Sequence, residues 1–223
     1  MVLLLVSCDK NGPSNKPLKT ELDSVSYAVG MDVAKNVKAS FKEFDNDLFV
    51  QGYINAIDSL KVMIDDVKAQ ELVRNYFQKK QQEEMVKRQE DAQKTKEEGE
   101  KFLAENKTKS GIVTTESGLQ YLVLKEGTGA KPLATDKVKL HYHGTLIDGT
   151  VFDSSVDRGT PIEMTVNQFV KGFSEGLTLM PVGSKYKLFI PSDLGYGANP
   201  RPGGVIKPNA ALIFDLELLE IMN

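Results

Sequence analysis

A chain of 223 residues with 40% hydrophobic content, 26% charged residues and a formal net charge of -3 is long enough for two modest domains and has an ordinary globular composition. The slight acidity argues against nucleic acid or an anionic membrane surface as the main partner. A single cysteine excludes an intramolecular disulfide, and no stretch approaches the ~18 consecutive apolar residues of a membrane span.

The chain opens on Leu3-Leu4-Leu5-Val6-Ser7-Cys8, a short apolar run and a small residue ahead of the cysteine. Residues 1–8 are similar to the end of a bacterial lipoprotein signal. The resemblance implies export to the periplasm or outer membrane and a lipid on Cys8 as the only membrane attachment. The run has no basic leader and about half of the usual ~7 to 15 apolar residues, which implies a start upstream of Met1. The competing reading is an accidental apolar terminus with a buried or free thiol. Residues 9–23 carry Asn, Gly, Pro, Ser and Lys with almost nothing apolar, the composition of a flexible tether.

Val25, Val29, Val33 and Val37 recur at helical spacing beside Ala28 and Ala34, with Ser24 placed to act as an N-cap. A second helix is expected from about Asp47, with Leu48, Phe49, Tyr53, Ile54, Ala56, Ile57 and Leu60 on a broad apolar face. Two such helices cannot bury their stripes alone, and residues 24–65 are too few for an independent core without a disulfide or metal. Self-association is the physical expectation, as a homodimer through residues 24–77.

From residue 66 the pattern stays helical through Leu72, Val73, Tyr76 and Phe77 and then turns polar. Residues 78–101 hold seven Lys or Arg and seven Asp or Glu with one glycine, Gly99, and no proline, which reads as a solvated helix rather than a disordered linker. Glu83 with Lys87, Glu84 with Arg88, Glu90 with Lys94 and Glu97 with Lys101 are spaced i, i+4, each pair adding ~0.2 to 0.5 kcal/mol. A helix over residues 67–105 would be about 58 Å long, within a connecting segment of residues 66–109 that holds the C-terminal domain away from the N-terminal one.

Residues 110–223 read differently. Val138, Leu140 and Tyr142 alternate with Lys139, His141 and His143, and Leu212, Phe214, Leu216 and Leu218 alternate with Ile213, Asp215 and Glu217. Asp148-Gly149 between alternating runs predicts a type I′ hairpin, putting Tyr142 and Phe152-Asp153 on adjacent strands. Only Gln168 to Leu177 reads as a short helix here, so a curved antiparallel sheet wrapped on one helix is expected. His141 and His143 point to one face, but with no third ligand in view they read as surface imidazoles.

Five blocks in order, Leu140 to Ser155, Val170-Lys171-Gly172-Phe173, Ile190-Pro191, Leu194-Gly195-Tyr196-Gly197 and Ile206 to Ala210, resemble the FKBP family of peptidyl-prolyl cis-trans isomerases. The N-terminal helices and the long charged helix narrow the likeness to its macrophage infectivity potentiator-like branch, whose members are V-shaped dimers outside the bacterial cytoplasm. The resemblance implies an α+β fold: a half-barrel on one short helix, behind an all-α dimerisation region and a long helix.

The resemblance also implies a cleft walled by Tyr142, Phe152, Phe169, Val170, Val205, Ile206 and Phe214, with Phe173 as its floor and Ile162 in one wall. Asp153, held by the Tyr142 phenol, would lie against the bound carbonyl region. Tyr196 and the backbone N–H of Val170 would donate to ligand carbonyls. Each also has a packing reading: Phe152, Phe214 and Val170 as core, Asp153 as a turn former, Tyr196 over a glycine turn. Phe173 stands where the family usually has tryptophan and Ile162 where an aromatic is common, which implies a deeper, more open cleft with altered affinity for FK506-like macrolides.

Prolyl rotation must break amide resonance, a barrier of roughly 18 to 20 kcal/mol. A dry apolar cleft disfavours the dipolar planar amide relative to the twisted one. No cofactor, metal or covalent nucleophile is called for. The expected partners are folding or unfolded proline-containing proteins. The rival readings are a dimeric periplasmic chaperone and a non-catalytic binding module using the same cleft.

Overall fold

The computed structural model describes residues 16–41, 43–58 and 62–222. The expected signal at residues 1–8, Cys8 included, and the first part of the tether lie outside these. Two compact units are present, Met1–Leu72 and Val73–Asn223.

In the first unit, helix α1 spans Glu21–Ser40 and α2 spans Asn46–Ile57. The cap of α1 is Thr20 rather than Ser24, so the last residues of the expected tether are already helical. Thr20 Oγ1 accepts from the Asp23 N–H at 3.1 Å while the Asp23 carboxylate accepts from the Thr20 N–H at 3.0 Å, a reciprocal cap in which Asp replaces the commoner Glu or Gln. Ser24 instead donates its hydroxyl to the Thr20 carbonyl at 3.2 Å. Asp45 caps α2 by accepting from Asp47 and Leu48, both at 3.0 Å. Neither helix buries a residue. Val25, Val29 and Val33 of α1 and Leu48, Tyr53 and Ile57 of α2 are exposed, as expected of stripes too few to form a core.

Helix α3 spans Asp66–Asn106. The ion pairs along it run from Lys to Glu, Lys79 to Glu83 at 3.9 Å, Lys94 to Glu98 at 4.0 Å and Lys96 to Glu100 at 3.8 Å, in place of the four expected Glu-to-Lys pairs. Exposed partners worth so little each leave the choice to side-chain rotamers. The helix is also less solvated than its composition predicts. Ala92, Thr95, Gly99, Phe102, Leu103 and Asn106 are buried or half-buried, spaced three or four apart along one face. This stripe lies on the sheet of the second unit. A Cβ at Gly99 would sit 3.2 Å from that of Ala211, the Phe102 and Phe189 rings are 6.0 Å apart, and buried Asn106 donates to buried Gln120 at 2.9 Å. Gln120 in turn donates to the Leu103 carbonyl at 2.9 Å.

The sheet has seven antiparallel strands: β1 Ile112–Thr114, β2 Gln120–Lys125, β3 Lys137–Leu146, β4 Val151–Ser154, β5 Ile162–Thr165, β6 Lys185–Ile190 and β7 Leu212–Met222. Their order is β1-β2-β6-β7-β3-β4, and β5 pairs with β3 at Lys137 to Leu140, where β4 pairs at His143 to Thr145. Helix α4, Lys171–Leu179, packs its Phe173 and Leu177 among Val138, Leu140, Leu188, Leu212, Leu216 and Leu218. Each fully buried apolar side chain of this size contributes about 1.5 to 3 kcal/mol. The apolar positions read by alternation along β3 and β7 are buried, but Ile213, read to the opposite face of β7, is buried as well, and the α+β expectation holds.

The β3–β4 hairpin is not type I′. Only Gly149 has a positive φ, 85°; Asp148 does not. The Gly149 N–H donates to the Leu146 carbonyl at 3.0 Å and the Leu146 N–H to the Thr150 carbonyl at 2.9 Å. That is a three-residue loop in which a type I turn is closed by a left-handed glycine. Asp148 accepts from the Thr150 N–H at 2.9 Å instead of adopting positive φ itself. Tyr142 and Phe152-Asp153 still lie on adjacent strands, with Gly144 opposite Asp153. No helix among the described residues is long and apolar enough to cross a membrane.

Candidate functional site

The concave face of the sheet carries a connected group of aromatic rings. Phe214, projecting from β7, is its hub: Phe152 meets it edge-on at 5.3 Å and 85°, and Phe173 at 4.9 Å and 89°. Tyr142 stands 6.2 Å from both Phe214 and Phe173. Edge-to-face geometry sets the positive ring edge against the negative face of the next, worth about 0.5 to 1.5 kcal/mol per pair beyond area burial. Gly144 makes the Phe152 contact sterically feasible, because a Cβ there would lie 2.7 Å from that ring. Strand alternation thus places Tyr142 and Phe214 inward, and the missing side chain at residue 144 lets the β4 ring lean over them.

Phe173 is 2% exposed, so the floor of this group is closed. Phe169 stacks on it at 4.3 Å and 22°. Phe169 covers one face of the Phe173 ring. Ile162, Phe169, Val170, Ile206 and Phe152 are partly buried and packed against the core. Val205 is not among them and is 53% exposed. Val170 is the N-cap of α4, at φ -61 and ψ 150.

The rim is polar. The Tyr142 hydroxyl donates to Asp153 Oδ2, and Arg158 Nη1 donates to Asp153 Oδ1. Arg158 Nη2 also donates to the Tyr142 oxygen at 2.9 Å, and the guanidinium carbon lies 5.7 Å from the Tyr142 ring centre. Partial burial works to raise the Asp153 carboxyl, but the hydrogen bonds from Tyr142 and Arg158 and the guanidinium charge outweigh it and hold it below the usual carboxylate range. Burial, then the hydrogen bond to Asp153, pushes the Tyr142 phenol up. Burial, then the Asp153 charge, does the same to Tyr196, which is 44% exposed. Both phenols are therefore donors at neutral pH, beside a fixed carboxylate.

Arg158 is the residue that sequence reasoning missed. Its signal was a cation five positions after Asp153, near enough across a short turn to close on the carboxylate. The histidines have local partners: His141 Nδ1 is 3.1 Å from Ser155 Oγ and His143 Nδ1 is 2.9 Å from Ser154 Oγ. The loop between β6 and β7 that carries Tyr196 and Ile206 is tied down at its end by Asn209. This residue takes a positive φ of 60°, donates its backbone N–H to the Gly197 carbonyl at 2.8 Å and its side-chain amide to the Ala92 carbonyl of α3 at 3.3 Å.

The sheet packed on one helix thus carries a cluster of aromatic rings with a phenol–carboxylate–guanidinium group beside it. Comparison with known proteins gives the class. Residues 129–219 match the FKBP-type peptidyl-prolyl cis-trans isomerase model, and residues 22–123 match the domain amino terminal to FKBP-type peptidyl-prolyl isomerase. The chain is 41% identical to an FKBP-type peptidyl-prolyl cis-trans isomerase FkpA of Aeromonas hydrophila, covering 97% of this chain and 83% of that protein. It is 40% identical to the outer membrane protein MIP of Legionella longbeachae, over 92% of this chain and 87% of that one. Among solved structures, that of FkpA from Escherichia coli aligns with a TM-score of 0.71 at 30% identity, covering 92% of this chain and 98% of its own. The chain belongs to the FKBP-type peptidyl-prolyl cis-trans isomerases, enzymes that act on proline-containing polypeptides.

Proposed function

We propose that isomerisation takes place in the hollow bounded by Tyr142, Phe152, Phe173, Phe214, Asp153 and Tyr196, with Ile162, Phe169, Val170, Val205 and Ile206 contacting the flanking substrate. The observation that carries this reading is the single ring cluster around Phe214 bordered by the ionised Asp153. The planar prolyl amide is the more dipolar state, and moving it from water to an aromatic surface disfavours it relative to the twisted transition state. Asp153, held ionised and fixed in place by Arg158 and Tyr142, sets an oriented carboxylate at the rim. Tyr196, protonated and partly open to solvent, donates to a substrate carbonyl and orients the segment. Arg158 acts through Asp153 and is a positioning residue. The reaction needs no bond to the enzyme.

In the cell, the chain is an exported isomerase of the periplasm or outer membrane, lipid-anchored at Cys8 and dimeric through residues 24–77, with residues 66–109 connecting to the isomerase domain at 110–223. The exposed apolar stripes of α1 and α2 support the dimer, since leaving them in water forgoes about 25 cal/mol per Å². A dimer with two substrate-binding arms would also protect aggregating clients. FK506-like macrolides would occupy the same hollow.

The test is an NMR titration of the full chain with a short Leu-Pro peptide while its cis–trans exchange is followed. Resonances of Phe152, Tyr196 and Ile206 shift and exchange accelerates. Acceleration with shifts confined elsewhere would remove the site; binding here with exchange at the uncatalysed rate would leave a binding module.

A further inference from the structure

The loop that supplies Ile206 to the hollow also forms, on its other side, one wall of a second depression of about 450 Å³. Helix α3 forms the opposite wall. Its charged groups are unbalanced: Lys87, Arg88, Arg201 and Lys207 against Glu84 and Asp91, four cations to two carboxylates in a chain whose formal net charge is -3. Among the described residues, Lys87, Arg88 and Arg201 make no ion pair with a carboxylate, whereas Lys207 acts on Asp148 of the hairpin. Pro200, Pro202 and Pro208 fix φ along the loop, so the wall is preset rather than ordered by a ligand. Ile206 lines this depression and also packs against the buried core to which Tyr142, Phe173 and Phe214 belong. One side chain is therefore shared by the depression and the packing around the rings.

We propose that this depression is a subsite for acidic residues flanking the prolyl bond, so that the enzyme prefers proline segments embedded in acidic sequence. The inference rests on the cleft reading above and adds the substrate class. Because Ile206 is common to both places, an extended substrate chain that continues past the proline along this loop runs toward the depression. Unpaired cations that face a concave, partly apolar wall raise the local concentration of anionic chain and slow its departure.

The experiment compares two peptides with the same Leu-Pro bond, one flanked on each side by three glutamates and one by three serines, on the full chain and on a Lys87→Gln, Arg88→Gln, Arg201→Gln variant. None of these residues belongs to the aromatic site. In the unaltered chain the acidic peptide is turned over with about fivefold higher kcat/KM at low salt, and the preference fades toward parity by about 0.5 M NaCl. The variant treats both peptides alike while keeping the serine peptide's rate. Equal rates for the two peptides in the unaltered chain, or a preference that survives in the variant, would overturn the proposal. Affinity for each peptide is read in parallel by fluorescence anisotropy. If neither peptide is turned over, the cleft reading fails, and the anisotropy ratio still decides the acidic subsite.

Discussion

Phe169 and Phe173 form a stacked contact that is open to a double-mutant cycle. Phe173 has Phe169 stacked at 4.3 Å on one face, Phe214 at 4.9 Å and Tyr142 at 6.2 Å around it, and is 2% exposed. An indole at this position has no free volume, so Phe173→Trp alone should destabilise by about 1 to 3 kcal/mol through overpacking. Phe169→Val alone removes the stacked ring, costing about 0.5 to 1.5 kcal/mol of ring contact in addition to lost burial. Together, the valine frees the face that the indole needs. The double variant should then be more stable than the sum of the singles predicts, by about 1 to 2 kcal/mol. Urea unfolding of the C-terminal unit followed by near-ultraviolet circular dichroism gives the stabilities, and kcat/KM on a Leu-Pro peptide gives the functional coupling. Additivity within about 0.5 kcal/mol would refute the claim that Phe169 occupies space a larger floor would claim.

Three further outcomes follow from the same geometry. Gly144→Ala should destabilise the C-terminal unit by about 1 to 3 kcal/mol, because the new Cβ meets the Phe152 ring at 2.7 Å; urea midpoints measure it. Asn106→Ala strands buried Gln120 without its donor and should cost about 1 to 3 kcal/mol, visible as a lower Tm. The Asp153 carboxyl is depressed in the folded chain, so its contribution is fully present above the unfolded value and is lost only as pH falls through the folded one. Turnover should therefore be flat from about pH 5 to 8, and an inflection in that range would place control on another group.

Much of the fold was legible because strand periodicity and burial coincide: Val138, Leu140 and Tyr142, and Leu212 to Leu218 by alternation, are the inward faces of β3 and β7. Turn chemistry was less legible. Asp148-Gly149 marked the hairpin, but the carboxylate's bond to the Thr150 N–H favoured a type I turn with one left-handed residue over a type I′ turn with two. The α3 stripe was hidden by composition, since Gly99 meets Ala211 by being small rather than apolar, and the small residues Ala92, Thr95 and Gly99 leave no hydrophobic period. Of the candidate site, the rings that pack on Phe214 came from the family likeness, while Arg158 carried no periodic signal and emerged only when the turn after β4 brought it onto Asp153. The stacking of Phe169 on Phe173 was likewise unreadable, because it depends on the angle at which the chain enters α4.

Prolyl turnover by Phe152→Ala tests the proposed aromatic site most directly, since this ring is only partly buried and is proposed to lie against the bound proline. Withdrawing it from the bound proline should lower kcat/KM by about ten- to a hundredfold, the equivalent of burying one phenyl group in the transition state, with the circular dichroism of the fold unchanged. A variant that folds and retains the full rate would contradict the account.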